Sequence, residues 1–465
     1  MLSFNDKDFV KNEKKIIGIS TLLNPKEFVK AIRPFFPSED IESARLTYIR
    51  YKPFRKCLVK YQLTMGGKTY YVYAKAYSPY KFIKSKNVND PQFAKSEIRQ
   101  GKFTLKDKGI VVSIFPSDSN LKSLKKFNKL KSRHILFKQL FPNRPELWKG
   151  NLQTLSYKPE RRFVAGIKTK NGIEAVLKIY SPNGYPKAKN KALALMSNKD
   201  LQIPKCLGWL DKENVLVFEW LPGKTLNQLL TEDFERTLQI IKKAGYLLAF
   251  FHSQDIKDIQ SQNNKEESLD LLNQADYVGF LFPNIASKAK KLARFLVSKL
   301  VLEPNFKNLT HGNFIAKNVI VNNGNVDLID FDETILGDPR TDLGSIISSL
   351  QIKVVTEKIS EKQFQELKKN FLESYQTQIG KKLIVNLDLF IAVALFQRVL
   401  IPFKNLEPNW KTKSETILEK IELITKNHFP KDWKNFSVES DRDTNGGYAS
   451  LFKKQTIVLD QPSGD

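Results

Sequence analysis

Cysteine, histidine and long apolar runs are all scarce in this chain, and each scarcity removes a class of protein. Two cysteines, Cys57 and Cys206, stand far apart, and the four histidines share no metal-type spacing with them. Neither a disulfide framework nor a zinc site is expected. Runs such as AGYLLAFF and FIAVALF fall short of the roughly 18 consecutive apolar residues that a spanning helix needs, so no transmembrane segment is expected. The opening MLSFNDKDFVKNEKK carries acids where a secretory signal would be apolar, which makes the cytoplasm the expected compartment. Acidic residues are scarce in one part only. Residues 1–150 hold 12 Asp and Glu against 32 Lys and Arg, whereas residues 151–465 hold 37 against 44. Most of the formal charge of +27 therefore belongs to the first third of the chain. That part could attract an anionic partner, or it could be a Lys-rich solvated surface. Residues 51–150 show no RNP-type or helix-turn-helix signature, so nucleic acid is the weakest partner among the anions.

What the chain does have is length, core-forming residues and an internal echo. With 465 residues, 41% of them hydrophobic, it can fill two or three domains. The stretch YIRYKPFRKCLVKYQLTMGGKTYYVYAKAYSPYKFIKSK from residue 48 resembles LSYKPERRFVAGIKTKNGIEAVLKIYSPNGYPKAKNK from residue 155. Each reads as YKP, a basic cluster, alternating strands around a Gly-containing turn, a lysine followed by Tyr-Ser-Pro, and a basic helix. The spacing predicts a duplicated module of three strands and a helix, with a repeat unit over about 48–86 and Lys75 matching Lys178. Between the copies, Leu121, Leu124, Phe127 and Leu130 recur at helical spacing among lysines, which predicts an amphipathic helix packed on the module. IPKCLGWL and NVLVFEWL read as two more strands, LPGKTL as a turn leaving the sheet, and residues 228–306 and 342–426 as mainly helical. A polar, loose tail is expected over 431–465.

The segment THGNFIAKNVIVNNGNVDLIDFDETILGDPRTDLG carries the chemistry. Asn323-Gly324 suits a two-residue type I′ turn between alternating runs. Asn318 then precedes one strand and Asp330 ends the other, so both oxygen-bearing side chains emerge at the same hairpin end. Such donors suit magnesium, which keeps waters and takes substrate phosphates as further ligands. Asp332, two residues along an extended strand, should share the face of Asp330.

These residues resemble the aminoglycoside phosphotransferase and choline kinase family, whose pattern is His-Gly-Asp-x-x-x-x-Asn, a hairpin, Ile-Asp-(Phe/Trp)-(Asp/Glu) and Gly-Asp-Pro-x-x-Asp-Leu. Here the pattern is met by His311, Gly312, Asn318, Ile329, Asp330, Phe331, Asp332, Gly337, Asp338, Pro339, Asp342 and Leu343, and it departs at Asn313. The resemblance covers about residues 150–426. It implies an α+β, protein-kinase-like two-lobe fold, with an antiparallel small lobe over 150–224 and a mainly helical large lobe over 225–430; the internal repeat places a second small-lobe-like basic module before it, over 1–149. It further implies ATP and Mg²⁺ as cofactors, with Asn318 and Asp330 holding the metal and Lys178 neutralising nucleotide phosphates. Glu219, Trp220 and Leu221 would form the hinge that meets the adenine. Lys158, Arg161 and Arg162 lie in the turn that would cover the nucleotide, as phosphate contacts or as solvated charge. His311 would orient the catalytic loop, and Asp338 and Asp342 would brace it.

Two departures shape the expected activity. The helix after Lys178 contains no acid, so the usual carboxylate partner of that lysine is missing. Asn313 stands where the family has its catalytic base, and an amide can hydrogen bond a hydroxyl but cannot take its proton. Asp332 is the candidate substitute. The expectation is ATP-dependent transfer to a hydroxyl of a small molecule or peptide, weakened or altered by Asn313, with a nucleotide-binding pseudokinase as the rival.

Overall fold

The computed structural model describes residues 9–11, 13–79, 82, 101–198, 203–379 and 384–436. After two short helices, α1 (Ile19–Leu23) and α2 (Pro25–Ile32), the chain forms β1 (Ser43–Lys52), β2 (Lys56–Met65), β3 (Lys68–Tyr77), β4 (Lys102–Leu105) and β5 (Ile110–Ile114). These pair antiparallel in the order β1-β2-β3-β5-β4. Helices α3 (Leu124–Asn128) and α4 (Leu130–Leu140) follow. A second sheet is then built from β6 (Asn151–Lys158), β7 (Arg162–Thr169), β8 (Gly172–Tyr180), β9 (Cys206–Leu210) and β10 (Val215–Glu219), with α5 (Tyr185–Met196) between β8 and β9. Its order, β6-β7-β8-β10-β9, repeats that of the first. Lys75 lies opposite Leu58 and Val111, and Lys178 opposite Val164 and Leu216, so the two lysines hold equivalent sheet positions. The duplicated unit thus contains five strands where the sequence pattern showed three. The segment that would hold the first copy's helix falls largely outside the described residues.

Alternation places each sheet's faces. In β2, Cys57, Val59, Tyr61, Leu63 and Met65 are buried, while Lys60, Gln62 and Thr64 between them are half-buried, as a period of two requires. That face packs with α1 and α2 in a core that runs on into the helical part of the molecule. The opposite face of the first sheet gives Leu58 and Tyr73 to a second core, shared with Leu124, Phe127, Phe137 and the inner residues of β7, β8 and β10. The amphipathic segment between the sheets is broken at Lys129, whose backbone is extended, φ −84° and ψ 122°. Leu121, Leu124 and Phe127 are buried as expected, but Leu130 is 55% exposed. The apolar stripe resumes in α4 at Leu136, Phe137 and Leu140.

After β10 the chain turns helical. Lys224–Thr225, expected as a plain turn, forms a short strand, β11, against β13 (Val319–Asn322). Thr225 then caps α6 (Leu226–Glu232) through a capping box with Gln228, satisfying first-turn N–H groups. Helices α7 (Phe234–His252), α8 (Asn264–Leu281) and α9 (Ala286–Leu300) precede β12 (Asn308–Thr310). Gly245 allows the close approach of α7 to a later helix: a Cβ there would lie 2.6 Å from the carbonyl oxygen of Phe371. Hairpin β13–β14 (β14, Asn325–Leu328) and β15 (Ile335–Gly337) come next. The lobe closes with α10 (Arg340–Val355), α11 (Glu361–Ile379), α12 (Leu387–Arg398), α13 (Ile401–Lys404), α14 (Trp410–His428) and α15 (Pro430–Asn435). Residues 431–435, expected in the loose tail, belong to the helix Pro430–Asn435, and Trp433 packs edge-on against Phe295 at 5.0 Å. Residues 437–465 of that tail lie outside the described residues. The whole is an α+β arrangement of two antiparallel five-stranded sheets of the same strand order followed by a mainly helical part. Among the described residues, no helix is long and apolar enough to cross a membrane.

Candidate active site

The segment that begins at His311 hangs from a buried carboxylate. Asp342, in the first turn of α10, accepts from the backbone N–H of His311 at 2.6 Å and of Gly312 at 3.0 Å. The same carboxylate accepts from Nε2 of His252 at 3.1 Å, and Nδ1 of His252 lies 2.8 Å from the Tyr375 hydroxyl. Gly312 takes φ 73°, and a Cβ there would meet the Glu333 carbonyl oxygen at 2.1 Å, so only glycine fits. His311 is fully buried, with Nε2 3.1 Å from the Ile329 carbonyl and Nδ1 without a partner. Since a carbonyl only accepts, Nε2 carries the proton, and burial pushes the ring's pKa down. His311 is therefore a neutral strut between loop and hairpin. Asp338 is engaged differently from Asp342: it receives the Arg340 guanidinium and the Arg340 N–H.

The hairpin carries out the type I′ turn its sequence calls for, with positive φ at Asn323 (48°) and Gly324 (82°). At its open end the Ile329 N–H donates to the Asn318 carbonyl at 3.0 Å, and Asn318 Nδ2 donates to the Asn313 carbonyl at 2.9 Å. Asp332 does not lie on an extended strand. β14 ends at Leu328, Asp330 adopts the left-handed conformation at φ 68°, and Phe331–Glu333 form a 3₁₀ turn. The two carboxylates converge all the same, because this tight turn folds Asp332 back beside Asp330.

Both carboxylates face the small lobe. Lys178 donates to Asp330 Oδ1 at 2.9 Å and to Asp332 Oδ1 at 3.2 Å. Arg162 forks onto both oxygens of Asp330, at 2.8 and 3.1 Å, and also pairs with Asp332. Tyr180 donates to Asp332 Oδ1 at 3.1 Å, and Lys191 of α5 to the Asp332 carbonyl at 2.9 Å. The acid missing from α5 is thus replaced, as partner of Lys178, by the hairpin's own carboxylates. Burial would raise the Asp330 carboxyl, but Lys178 and Arg162 outweigh it and hold it far below the usual carboxylate range. Nearby, half-buried Lys158 is pushed down to about 8 by burial and by the charges of Arg162 and Lys317. That lysine is short of anions.

Of the other expected contacts, Arg161 is exposed, while Glu219, Trp220 and Leu221 are half-buried along the connection from β10 to β11. Tyr180, Lys191 and Lys317 escaped the sequence reading; only the position of Tyr180, two residues after Lys178, hinted at it. For a hard cation the donor set is suitable. Asn318 has its Nδ2 committed to the loop, so the amide offers Oδ1, and Asp330 offers a carboxylate now neutralised by a guanidinium and an ammonium. Among the described residues no group of three or more His, Cys, Asp or Glu could cage a metal alone. An ion that draws ligands from water and phosphate is the kind these two residues fit.

Residues 161–375 match the family model described as "Phosphotransferase enzyme family". No curated protein matches the chain. Among solved structures, choline kinase from Cryptosporidium parvum Iowa II is similar at 12% identity and a TM-score of 0.47, over 64% of this chain and 97% of that one. Choline kinase LicA from Streptococcus pneumoniae is similar at 15% identity and 0.45, over 62% and 99%. The streptomycin–ATP–APH(2")-IIa ternary complex gives 15% and 0.42, over 62% and 97%.

Proposed function

We propose that this chain, whose residues 161–375 match the model described as "Phosphotransferase enzyme family", transfers the γ-phosphate of ATP to a hydroxyl group. The observation that carries the reading is the convergence of Lys178 and Arg162 on Asp330 and Asp332, beside Asn318. Asn318 and Asp330 would hold magnesium, which when bound would supply positive charge against the nucleotide phosphates. The chain's own residues do the rest. Lys178 and Arg162, which now satisfy the carboxylates, turn to phosphate oxygens as the nucleotide enters, and Lys158 adds a third cation from the covering turn. Glu219, Trp220 and Leu221 present the backbone edge to the adenine. Asp342 and His311 hold the loop, so that the Asn313 amide orients the acceptor hydroxyl without taking its proton. The oxygens of Asp332 are occupied by Lys178, Arg162 and Tyr180, and its service as a substitute base requires those donors to move first.

Next to Gly312 lies a cavity of about 150 Å³ whose lining includes Asn264, Glu267, Asp338, Gln397 and Arg398. Burial pushes the Glu267 carboxyl up to about 7, against a hydrogen bond from Gln397. Burial likewise pushes Arg398 down to about 10, and its guanidinium donates to Ser345 Oγ at 2.6 Å. A small polar acceptor suits this lining better than an apolar one. The second reading, a nucleotide-binding protein without turnover, is favoured by Asn313 alone.

Phosphoryl transfer rests mainly on positioning and charge neutralisation, and a general base adds about 10² to 10⁴ in rate. Transfer from labelled ATP to a panel of polyhydroxylated and amino-alcohol acceptors should therefore be slow but measurable, and Asn313→Asp should raise it about tenfold or more. Retained nucleotide binding with no transfer by either protein would establish the second reading instead.

A further inference from the structure

The two sheets carry the same turn with different side chains at its apex. Tyr51-Lys52-Pro53-Phe54-Arg55 joins β1 to β2, and Tyr157-Lys158-Pro159-Glu160-Arg161 joins β6 to β7. The fourth residue is left-handed in both, with φ 57° at Phe54 and 62° at Glu160. Both turns close with a bond from the arginine N–H to the lysine carbonyl at 3.1 Å. In both, a buried carboxylate from the preceding segment seizes the turn. Glu13 accepts from the Phe54 N–H at 2.9 Å and from the Tyr51 hydroxyl. Asp118 accepts from the Glu160 N–H and from the Tyr157 hydroxyl, each at 2.9 Å.

The apex residues then part ways. Phe54 packs edge-on against Phe280 of α8, with ring centroids 4.4 Å apart. Glu160 reaches out of its own module into the first. There it meets Lys75 at 2.5 Å, Arg50 at 2.8 Å and the Ser119 hydroxyl at 2.7 Å. Lys75 is the sheet counterpart of Lys178, so the position that would hold phosphate in the first module is filled by the second module's turn. Burial alone would raise the Glu160 carboxyl, but Lys75 and Ser119 hold it down to about 2. The glutamate is therefore ionised, 6% exposed and fully committed to the neighbouring module.

We propose that the first module is a clamp for the turn that covers the nucleotide, with Glu160, Lys75, Arg50 and Asp118 as positioning residues for Lys158 and Arg162. This rests on the nucleotide reading of the Lys178 site. The logic is geometric and electrostatic. Glu160 lies two residues from each of the two cations that serve the phosphates, so anchoring it fixes their backbone. Lys75 and Arg50 also cancel a charge that would otherwise repel a polyphosphate across the same turn. On this account Lys75 binds no nucleotide of its own.

The test uses the full chain, with Lys75→Met, Glu160→Gln and the conservative Lys75→Arg. Affinities for Mg·ATP and for adenosine are measured by calorimetry. The expected result is a loss of about tenfold in Mg·ATP affinity for Lys75→Met and Glu160→Gln, with adenosine affinity unchanged and Lys75→Arg close to the parent. A purely structural role would weaken both ligands together, and that outcome, or unchanged affinity for both, overturns the proposal. If Lys75→Met does not fold, Glu160→Gln keeps the backbone turn and decides alone. If the parent itself binds no Mg·ATP, the nucleotide reading fails separately. The clamp is then judged by amide exchange over residues 158–162, which accelerates in the variants if the first module holds the turn and stays as in the parent if it does not.

Discussion

Replacing Asp342 by asparagine changes one oxygen to an NH₂ group in a buried site that contains three donors. The carboxylate is 1% exposed and accepts from His311 N–H, Gly312 N–H and His252 Nε2. The amide retains one acceptor and turns a donor toward the others, so at least one charge-assisted hydrogen bond is lost. Such bonds contribute about 1.5–3 kcal/mol each. A local loss of about 3 kcal/mol converts to roughly a hundredfold faster opening, at about 1.4 kcal/mol per factor of ten. The assay is native-state amide exchange at His311 and Gly312, because those N–H groups are the donors. It also avoids assuming that a chain with several modules unfolds in one step. Turnover should fall by about a hundredfold as well, since misplacing a reacting group by about 1 Å costs that much. Protection within threefold of the parent at both amides would refute the view that Asp342 suspends the loop.

Two further predictions follow from the charge clusters. Lys158, at about 8 in the free protein, should rise when an anionic phosphate joins it. At pH 8, Mg·ATP binding should then take up as much as about half a proton, read from the buffer dependence of the calorimetric enthalpy. Lys158→Met should abolish the uptake, and a buffer-independent enthalpy in the parent would count against the phosphate contact. Glu160 carries the opposite sign. Its carboxyl is lowered from the ordinary 4.5 to about 2, so its contribution of roughly 3 kcal/mol is present above pH 4.5. It is lost as the pH falls toward 2. Acid unfolding of Glu160→Gln should be less steep in that window than that of the parent, and identical pH profiles would contradict the ion pair.

Local signals were legible in the sequence, and contacts between distant segments were not. Asn323-Gly324 announced the hairpin because two consecutive positive φ angles demand such residues, and the match of Lys75 to Lys178 survived because sheet register preserves position. The backbone that brings Asp332 beside Asp330 was misjudged, although the two carboxylates do converge. Extended geometry was assumed where Asp330 takes a left-handed φ that its side chain type tolerates. Strands β4 and β5 were missed, since a Lys-rich stretch separates them from β3 and FTL is too short to show alternation. No proline or glycine marked the break at Lys129, which shows only in that residue's extended backbone and the exposure of Leu130. Arg162 and Glu160 illustrate the main limit. Each sits in a basic cluster that composition would assign to solvent, yet Arg162 neutralises Asp330 from 168 positions away, and Glu160 meets Lys75 across 85.

The central claim is that Lys178, Asn318 and Asp330 form one magnesium-nucleotide site. Calorimetric titration of ATP, with and without Mg²⁺, into the parent, Asp330→Asn and Lys178→Met tests it most directly. The account predicts Mg²⁺-dependent binding by the parent, loss of the Mg²⁺ dependence in Asp330→Asn, and at least tenfold weaker binding in Lys178→Met. Absence of binding by the parent at millimolar nucleotide, or equal affinity in all three proteins, would contradict it.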